Sequence, residues 1–427
     1  MKKTISFYTL GCRSNQAETA ALENLCQSHG FKVLHENKKS DIAVINTCTV
    51  TEKGDLDTRR LVSKIRRFDK KTKIALIGCQ AQTQSEELKK EFSVQWIIGN
   101  AKKMELPQIL LSKPSESTKI IVPEIERKSF VMPSIASTLK RTRANIKIQD
   151  GCDNFCSYCE VSHARGPGRS REFDDIVNEA KSLAQAEYKE LILTGINIGS
   201  YNFRNKNISD VLRKIVSINK IERIRISSIE PNNILKDLIL LMASNRKICR
   251  HLHIPIQSAC DEILHSMKRR YQQADLDLFF EYATQNIHDL CIGADVIVGF
   301  PGETNDFFDQ TYDFLKSSPL AYFHIFSYSN RKLAESKDFP GQINKPIIAK
   351  RSKILRDLSQ KKKNVFMSKF LDTSQKVLFE KKKDGLWDGL TDNYMRVFVS
   401  SDEDLQNQIC QVYFKSICSK GIMGELE

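Results

Sequence analysis

Three short apolar segments near the start of the chain each end at a cysteine, and stretches with helical periodicity separate them. The segments are KTISFYTLGC, DIAVINTC and TKIALIGC, which end at Cys12, Cys48 and Cys79. This alternation predicts a parallel sheet with helices on its faces, that is, a doubly wound α/β domain. Ligands of such sheets bind at the carboxyl ends of the strands. The three thiols are therefore predicted to lie near one another.

Each of these cysteines has a simpler interpretation as a small buried residue, because free cysteine is often found in protein cores. The agreement of three positions favours a metal site. Soft thiolates suit iron–sulfur clusters and zinc, so either metal centre is compatible with the pattern. Cys26 lies within a predicted helix, and we assign it to the core.

A second set of three cysteines lies in the stretch GCDNFCSYCE, at Cys152, Cys156 and Cys159. Structural zinc sites and most iron–sulfur clusters use four protein ligands. Three thiols in one short loop therefore predict a metal centre with one open position, where a chelating small molecule can bind. A centre of this kind allows radical chemistry that amino-acid side chains do not support.

The middle of the chain predicts an open or partial parallel barrel of six β/α units. Its strands are predicted in NIKIQ, ELILTGINI, RIRISSI, HLHIPIQ, GADVIVGF and AYFHIFSY. Reactive groups of parallel α/β barrels lie at the carboxyl ends of the strands. The loop with the second set of cysteines directly follows the first of these strands, which is such a position.

The charge of the chain points to its partner. Lys and Arg outnumber Asp and Glu by 66 to 52 in 427 residues, for a formal net charge of +14. This excess favours a polyanion, with nucleic acid ahead of a membrane surface, although a basic protein without such a partner is the alternative. The sequence has neither an apolar run of membrane-spanning length nor a signal peptide, so we expect a cytoplasmic protein. Its twelve cysteines then suit metal binding or catalysis better than disulfides.

The pattern along the chain predicts four segments. An α/β domain spans residues 1–113, a linker spans 114–141, the barrel spans 142–370, and a small antiparallel β-barrel spans 371–427. Near the linker, a basic group either lines a phosphate path or belongs to a solvated segment. The group consists of Lys140, Arg141, Arg143 and Lys147.

The last part of the chain combines a basic helix with short strands. Residues 350–363 carry seven Lys or Arg and one Asp, whereas residues 371–427 carry seven basic and ten acidic residues. The basic helix, together with the one at residues 59–73, is therefore a better expected phosphate contact than the small barrel. Trp387 and Tyr394 are expected either to stack on RNA bases or to fill the barrel.

The stretch GCDNFCSYC after a predicted strand resembles the signature of radical S-adenosylmethionine enzymes. More narrowly, the chain resembles the methylthiotransferases over essentially its whole length. The motifs that carry this resemblance occur in that family's order, and they are TLGCRSNQAET, INTCTV, IGCQAQ, IKIQDGCDNFCSYC, HARGPGRSR, LTGINIGSY, HLHIPIQS and DVIVGFPGET. The resemblance implies a TIM-like radical S-adenosylmethionine barrel, followed by a small TRAM-like barrel that binds RNA.

The resemblance also implies two [4Fe-4S] clusters, with S-adenosylmethionine as the cosubstrate. The radical cluster would be held by Cys152, Cys156 and Cys159. The auxiliary cluster, which carries the sulfur to be transferred, would be held by Cys12, Cys48 and Cys79. The S-adenosylmethionine pocket would include Gly195, Asn197 and Gln257. Glycine and asparagine at a strand end are as often turn residues.

Two stretches depart from the family's pattern. After Cys159 the family usually has an aliphatic residue and then a proline, whereas this chain continues with Glu160, Val161 and Ser162. The motif HLHIPIQS is usually followed by glycine, whereas this chain has Ala259. These differences concern the conformation of the loops and leave the cluster ligands unchanged.

Three substrate classes exist within the family: isopentenyladenosine in tRNA, N6-threonylcarbamoyladenosine in tRNA, and an aspartate of a ribosomal protein. The stretches GCRSNQAET and LFEKKKDGLWDGLTDNYMRV are most similar to the threonylcarbamoyladenosine branch. The chain is therefore expected to place a methylthio group on C2 of the modified adenosine at position 37, beside the anticodon.

The expected partners are the anticodon stem-loop of tRNA, an electron donor and a sulfur donor, and the sequence names neither donor. No membrane partner is expected. Two alternatives of function stay open at this stage. One is activity on either of the other two substrate classes of the family. The other is a non-catalytic zinc-binding or RNA-binding protein.

Overall fold

The computed structural model describes residues 2–36, 38–112, 117–133 and 142–427. Lys140 and Arg141, which were considered for a phosphate path, lie outside these ranges. The described part of the chain contains an α/β domain, an open α/β barrel and a small closed β-barrel. These are the three architectures that the sequence predicts.

The first domain is built on six parallel strands in the order β2-β1-β3-β4-β5-β6. The strands are β1 (Thr4–Thr9), β2 (Lys32–Leu34), β3 (Ile42–Thr47), β4 (Lys73–Gly78), β5 (Trp96–Ile98) and β6 (Lys119–Ile121). The helices are α1 (Arg13–Ser28), α2 (Glu52–Phe68), α3 (Cys79–Thr83), α4 (Ser85–Glu91) and α5 (Leu106–Leu111). All six residues of β3 are buried, because helices cover both faces of this sheet. The predicted doubly wound domain is confirmed, and Cys26 lies in its core.

The sheet of the first domain extends into the segment that was predicted to be a linker. Strand β6 pairs in parallel with β5, and Lys119 lies opposite Trp96. A strand of three residues among prolines and serines shows no periodicity in the sequence, so the predicted boundary at residue 113 missed it. Strand β1 likewise ends at Thr9 and not at Cys12.

The open barrel contains the six predicted parallel strands. They are β7 (Arg143–Lys147), β10 (Glu190–Thr194), β11 (Arg223–Ile226), β12 (His251–Gln257), β13 (Cys291–Val298) and β14 (Tyr322–Ser327). A short hairpin of β8 (Gln149–Asp150) and β9 (Arg169–Ser170) follows β7. The barrel consists of two sheets of three strands, joined by single bridges between β11 and β12, and β7 and β14 form its edges. The predicted partial barrel is confirmed.

Eight helices surround this barrel or follow it. They are α6 (Val161–Arg165), α7 (Phe173–Gln185), α8 (Ile208–Val216), α9 (Lys236–Ser244), α10 (Asp261–Ser266), α11 (Gln273–Asn286), α12 (Asn305–Ser317) and α13 (Lys345–Ser368). The largest apolar core of the molecule lies between these helices and the six strands. The described residues include no helix that is both long enough and apolar enough to cross a membrane.

The last domain is a closed barrel of five strands in the order β15-β16-β17-β19-β18. They are β15 (Ser374–Lys383), β16 (Leu386–Thr391), β17 (Arg396–Ser400), β18 (Ile409–Cys418) and β19 (Gly421–Leu426). The pair of β17 and β19 is parallel and the other pairs are antiparallel. Asp384 and Gly385 both have positive φ angles, so the DG pair forms the predicted hairpin turn between β15 and β16.

Neither aromatic residue considered for RNA stacking is available for it. Trp387 is 6% exposed and fills the core of the small barrel, which is the alternative that the sequence left open. The ring of Tyr394 stacks on His251 of the open barrel, with 4.2 Å between ring centroids. Its hydroxyl accepts a hydrogen bond from Arg13 Nη2 at 3.3 Å, so Tyr394 contacts both other domains.

The end of β16 and the turn after it fasten the small barrel to β11 of the open barrel. Arg223 donates to the carbonyl oxygen of Leu390 at 2.8 Å. Arg225 donates to the carbonyl oxygen of Asp392 at 2.8 Å. Both arginines are buried, and they begin or lie within β11. Backbone carbonyls of one domain therefore satisfy buried guanidinium groups of another.

Replacement of Trp387 by alanine tests the core of the small barrel. The loss of this buried ring should reduce the free energy of unfolding of the small barrel by about 3–5 kcal/mol. Tyr413→Ala, on the outer surface of the same barrel, should change it by about 0.5 kcal/mol or less. Pulse proteolysis in urea, read at the C-terminal segment, measures both. A mild effect of Trp387→Ala would contradict a packed core.

Candidate functional site

The three cysteines of the first domain follow three neighbouring strands of its sheet. Cys48 comes directly after β3, Cys79 directly after β4, and Cys12 caps the start of α1 shortly after β1. Strands β1, β3 and β4 are adjacent and parallel, so their carboxyl ends lie at one edge. We call the segments around these residues the first, second and third thiol loops. The structure thus places all three predicted residues at the same edge of the sheet.

Hydrogen bonds fasten the three thiol loops to one another. The Asn15 side chain donates to the carbonyl oxygens of Leu10 at 2.7 Å and Thr47 at 3.0 Å, which joins the first loop to the second. The Thr47 hydroxyl donates to the carbonyl oxygen of Ile77 at 2.7 Å and accepts from the N–H of Ala81 at 3.3 Å. This second contact joins the second loop to the third.

Gly11 allows the first two thiol loops to approach closely. A Cβ atom at this position would lie 2.6 Å from Cys48 Sγ, and the φ angle of Gly11 is +82°. Burial raises the pKa of Cys48 to about 12, and the thiols of Cys79 and Cys12 act in the same direction. The absence of a side chain at Gly11 therefore lets the first thiol loop lie against the thiol of Cys48.

The second group of thiols lies in the loop between β8 and α6, which we call the central thiol loop. The N–H of Cys159 donates to the carbonyl oxygen of Cys156 at 3.0 Å, and the N–H of Cys152 donates to that of Gly166 at 3.1 Å. Burial raises the pKa of Cys152 to about 11 and that of Cys159 to about 12. Cys156 acts on the pKa of both thiols in the same direction.

Arg269 lies beside the central thiol loop, and the sequence gave no sign of this contact. Its Nη1 atom donates to Cys156 Sγ at 3.5 Å, and its Nη2 atom donates to the carbonyl oxygen of Pro255 at 2.9 Å. The guanidinium also pairs with Glu230. Burial raises the pKa of Glu230, and Arg269 acts in the opposite direction. A cation whose side chain is 2% exposed, with a counterion that is 15% exposed, therefore lies next to a thiol.

Gln257, predicted for the S-adenosylmethionine pocket, shares a cavity with a cysteine of the central thiol loop. The cavity has a volume of about 160 Å³, and its lining includes Gln257, Cys159, Tyr158 and Asp295. Gln257 ends β12 and has a φ angle of 64°, which is uncommon for a residue with a side chain. The turn at the end of β12 thus brings this side chain to the edge of the cavity.

Gly195 and Asn197, the other two residues predicted for that pocket, pack against Gln149. Gln149 Oε1 accepts from the N–H of Asn197 at 2.8 Å, and Gln149 Nε2 donates to the carbonyl oxygen of Gly151 at 2.8 Å. A Cβ atom at Gly195 would lie 2.9 Å from the carbonyl oxygen of Gln149. Both residues therefore support the start of the central thiol loop, and their contact with S-adenosylmethionine stays a prediction.

Glu160, which stands where the family pattern has an aliphatic residue, connects the two groups of thiols. It is buried beside Cys159 and accepts a hydrogen bond from the Thr49 hydroxyl at 2.9 Å. Arg331 pairs with the same carboxylate at 3.1 Å. Because Thr49 directly follows Cys48, Glu160 joins the central thiol loop to the second thiol loop. Glu160, the residue that departs from the family pattern, therefore has polar partners within this chain.

Arg165 is a further connection between the two groups. Its Nε atom donates to Cys79 Sγ at 3.2 Å, and its Nη1 atom donates to Asp150 Oδ1 at 3.1 Å. Arg165 belongs to the stretch HARGPGRSR, which marked it as part of a motif. Sequence reasoning missed its role, because it lies 86 positions from Cys79 and only the fold brings the two together.

Both groups of thiols fit iron–sulfur clusters. In each group an N–H points at a sulfur: Asn100 Nδ2 lies 3.7 Å from Cys79 Sγ, and the backbone nitrogen of Val161 lies 3.3 Å from Cys159 Sγ. Among the residues that the structure describes, no three His, Cys, Asp or Glu side chains converge as they would on one metal ion. A four-iron cluster does not require such convergence, because its thiolate ligands bind different iron atoms.

Known proteins are similar to this chain in sequence. The family model described as "Radical SAM superfamily" matches residues 146–315, and the one described as "Uncharacterized protein family UPF0004" matches residues 4–99. The threonylcarbamoyladenosine tRNA methylthiotransferase MtaB of Aquifex aeolicus (strain VF5) is 36% identical over 86% of this chain and 90% of that protein. The tRNA-2-methylthio-N(6)-dimethylallyladenosine synthase of Endomicrobium trichonymphae is 28% identical over 98% of each.

A solved structure shares the architecture as well. The radical S-adenosylmethionine methyltransferase TsrM from Kitasatospora setae, with tryptophan and an S-adenosylmethionine analog bound, matches with a TM-score of 0.58. It is 15% identical to this chain and covers 76% of it, and 73% of TsrM is matched. At this identity the likeness concerns the fold alone, and it agrees with a parallel α/β barrel preceded by an α/β domain.

The chain therefore belongs to the radical S-adenosylmethionine methylthiotransferase family. The resemblance drawn from the sequence motifs is confirmed. The cofactors of this family are S-adenosylmethionine and [4Fe-4S] clusters. The two groups of three thiols, each with a hydrogen-bond donor at a sulfur, stay the predicted places for the clusters.

Replacement of Gly11 by alanine tests the close approach of the thiol loops. Gly30 provides a matched control, since its φ angle is +87° and no atom lies within 4 Å of a Cβ placed there. A left-handed backbone costs a residue with a side chain roughly 1–2 kcal/mol at either position. Only Gly11→Ala also displaces Cys48, so it should lower the thermal midpoint of the metal-free protein further than Gly30→Ala. Equal midpoints would contradict a crowded position 11.

Proposed function

We propose that this protein is a tRNA methylthiotransferase that converts N6-threonylcarbamoyladenosine at position 37, beside the anticodon, into its 2-methylthio derivative. The observation that carries the proposal is the pair of three-thiol groups, which face each other across one interface and are connected through Arg165 and Glu160. An enzyme that must both generate a radical and deliver sulfur needs two such centres close together. A protein with a single structural metal site needs only one.

We assign the six cysteines to two [4Fe-4S] clusters. The radical cluster is held by Cys152, Cys156 and Cys159. The auxiliary cluster is held by Cys12, Cys48 and Cys79. Three ligands leave one iron of a four-iron cluster without a protein ligand. S-adenosylmethionine bound at such an iron supplies a carbon radical that can remove hydrogen from an unactivated C–H bond, such as that at C2 of adenosine.

The side chains around the central thiol loop hold the reactants and keep water out. The cavity lined by Gln257 and Asp295 lies directly beside Cys159, and we assign it to S-adenosylmethionine. Arg269 places a positive charge next to Cys156 and keeps the end of β12 in position through the carbonyl oxygen of Pro255. Gly195 and Asn197 act through Gln149, which keeps the start of the loop fixed.

The choice of substrate rests on similarity and on charge. The relative from Aquifex aeolicus is named for threonylcarbamoyladenosine, and the more distant relative from Endomicrobium trichonymphae for dimethylallyladenosine. A net charge of +14 suits a polyanionic substrate such as the anticodon stem-loop. Helix α13 offers a row of exposed cations for phosphate contacts, consisting of Lys350, Lys353, Arg356 and Lys361.

The reaction needs two further partners, an electron donor for the radical cluster and a sulfur donor for the auxiliary cluster. We propose that the first domain carries the auxiliary cluster, that the open barrel carries the radical cluster, and that the small barrel assists tRNA binding. A substrate of this kind places the protein in the cytoplasm.

Iron content tests the ligand assignment. Wild-type protein reconstituted without oxygen should hold about eight iron atoms per chain, because each group of thiols holds a four-iron cluster. The triple Ala variant of Cys12, Cys48 and Cys79 should hold about four, and so should the triple Ala variant of the central thiol loop. Cys26→Ala, in the core of the first domain, is the control that should retain about eight. An unchanged iron content in either triple variant would contradict the assignment.

The nucleosides of tRNA test the substrate. A strain that lacks the gene should lose 2-methylthio-N6-threonylcarbamoyladenosine and accumulate the unmodified precursor, as measured by mass spectrometry. The wild-type chain should restore the product, whereas Cys156→Ala and Cys79→Ala should not. Loss of 2-methylthio-isopentenyladenosine instead would identify the other tRNA branch. Unchanged tRNA would contradict the proposed function.

A further inference from the structure

A buried network of charged side chains crosses the interface between the first domain and the open barrel. Glu18 and Lys103 come from the first domain, with side chains 1% and 2% exposed. Lys147, Asp150 and Arg165 come from the open barrel, with side chains 4%, 4% and 0% exposed. Ionic groups are rarely buried to this extent unless they are paired or serve a function.

The network is closely connected. Glu18 pairs with Lys103, Lys147 and Arg165, each at 2.5 Å. Asp150 pairs with Lys147 at 2.7 Å and with Arg165 at 3.1 Å. Arg169 adds a further cation, 2.9 Å from Asp150 and 15% exposed. Four cations thus face two carboxylates, which leaves a formal net charge of +2 in a region that is nearly free of solvent.

The thiol of Cys79 is in direct contact with this positively charged network. Arg165 Nε donates to Cys79 Sγ at 3.2 Å, while its other nitrogens are used by Glu18, Asp150 and Asn15. A buried positive charge is costly unless a negative charge compensates it. A thiolate that binds iron is negatively charged, so a cluster at Cys79 would supply the missing counter-charge.

We propose that Arg165 is a positioning residue that sets the reduction potential of the auxiliary cluster, an inference that rests on the proposed assignment of Cys79 as a ligand. The potentials of iron–sulfur clusters depend on net charge, on hydrogen bonds to the sulfur atoms and on exposure to solvent. Arg165 changes all three at once, because it is a fully buried cation with an N–H directed at a ligand sulfur. A cation at this place stabilises the reduced form, which carries one more negative charge.

The same residue also relates the auxiliary cluster to the central thiol loop. Arg165 Nη1 contacts Asp150 Oδ1, and the same oxygen accepts from the N–H of Gly151 at 3.0 Å. Gly151 is followed directly by Cys152. One guanidinium therefore bonds to a ligand of one proposed cluster and to the residue that positions the loop of the other. Lysine could keep the charge but not this set of contacts, since it has no planar fork of donors.

The test uses the full-length chain with Cys152, Cys156 and Cys159 replaced by alanine, so that the auxiliary cluster is the only one present. Its midpoint potential is measured by redox titration, with the reduced cluster followed by electron paramagnetic resonance. Arg165→Gln should shift the equilibrium at least tenfold toward the oxidised form, which corresponds to a midpoint about 59 mV more negative. Arg165→Lys should shift it in the same direction by a smaller factor, because the charge remains while the hydrogen bond is lost.

Arg171→Lys provides the matched control. Arg171 is also buried, with a side chain 1% exposed, and it pairs with Asp175 and Glu179 within the open barrel. The control should lower the unfolding temperature as Arg165→Lys does and leave the midpoint potential unchanged. Should Arg165→Gln fail to fold, Lys103→Gln removes one charge of the network further from the sulfur and should give a smaller shift in the same direction.

The outcomes separate this inference from the proposed function. A cluster that is present with the same potential in the chain that lacks the central cysteines, and in its Arg165→Lys and Arg165→Gln versions, would overturn the inference and leave the ligand assignment intact. An equal shift in Arg171→Lys would also overturn it, because the effect would then follow from general loosening of the fold. A preparation without any cluster would overturn both the assignment of Cys79 and the inference.

Discussion

The carboxylate of Glu18 is the contact on which the arrangement of the two larger domains depends. It lies in α1 of the first domain and forms ion pairs on both sides of the interface. Its partners are Lys103 of the first domain, and Lys147 and Arg165 of the open barrel. Removal of one member of such a buried group leaves the others uncompensated, which is far more damaging than the loss of a surface ion pair. Since Cys12 caps the same helix, the ionic contact and the first thiol loop are positioned by one element.

A second contact, on the other side of the thiols, restricts the same interface. Glu160 holds Arg331, which also pairs with Asp55 of α2 at 2.8 Å, so the central thiol loop is tied to the helix that follows the second thiol loop. Two separate ionic contacts thus hold the two domains against each other on either side of the thiols. The spacing of the two thiol groups is therefore a property of the interface as a whole, and a shift of either domain would change it.

The sequence predicted those parts of the site that follow from local pattern. The predicted strand ends located Cys12, Cys48 and Cys79 at one edge of the sheet. The short spacing of the other three cysteines indicated that they share one loop. The six barrel strands were also evident, because each is a distinct apolar run. Contacts made only by the fold were not predictable: Arg165 reaches across the interface, and Tyr394 packs on His251 in another domain. Strand β6 was missed because three residues are too few to show an alternating pattern, although two of them are isoleucines, which favour strands.

The contact between the small barrel and β11 makes the two barrels depend on each other. Arg223 and Arg225 are buried, and backbone carbonyl groups at the end of β16 and in the turn after it accept their hydrogen bonds. A shorter chain that stopped after α13 would remove these acceptors: Arg223 would lose both carbonyl groups that accept from it, and Arg225 would keep its ion pair with Glu190. The small barrel thus covers the open barrel at β11. Removal of the small barrel would therefore also change the surroundings of β11 in the open barrel.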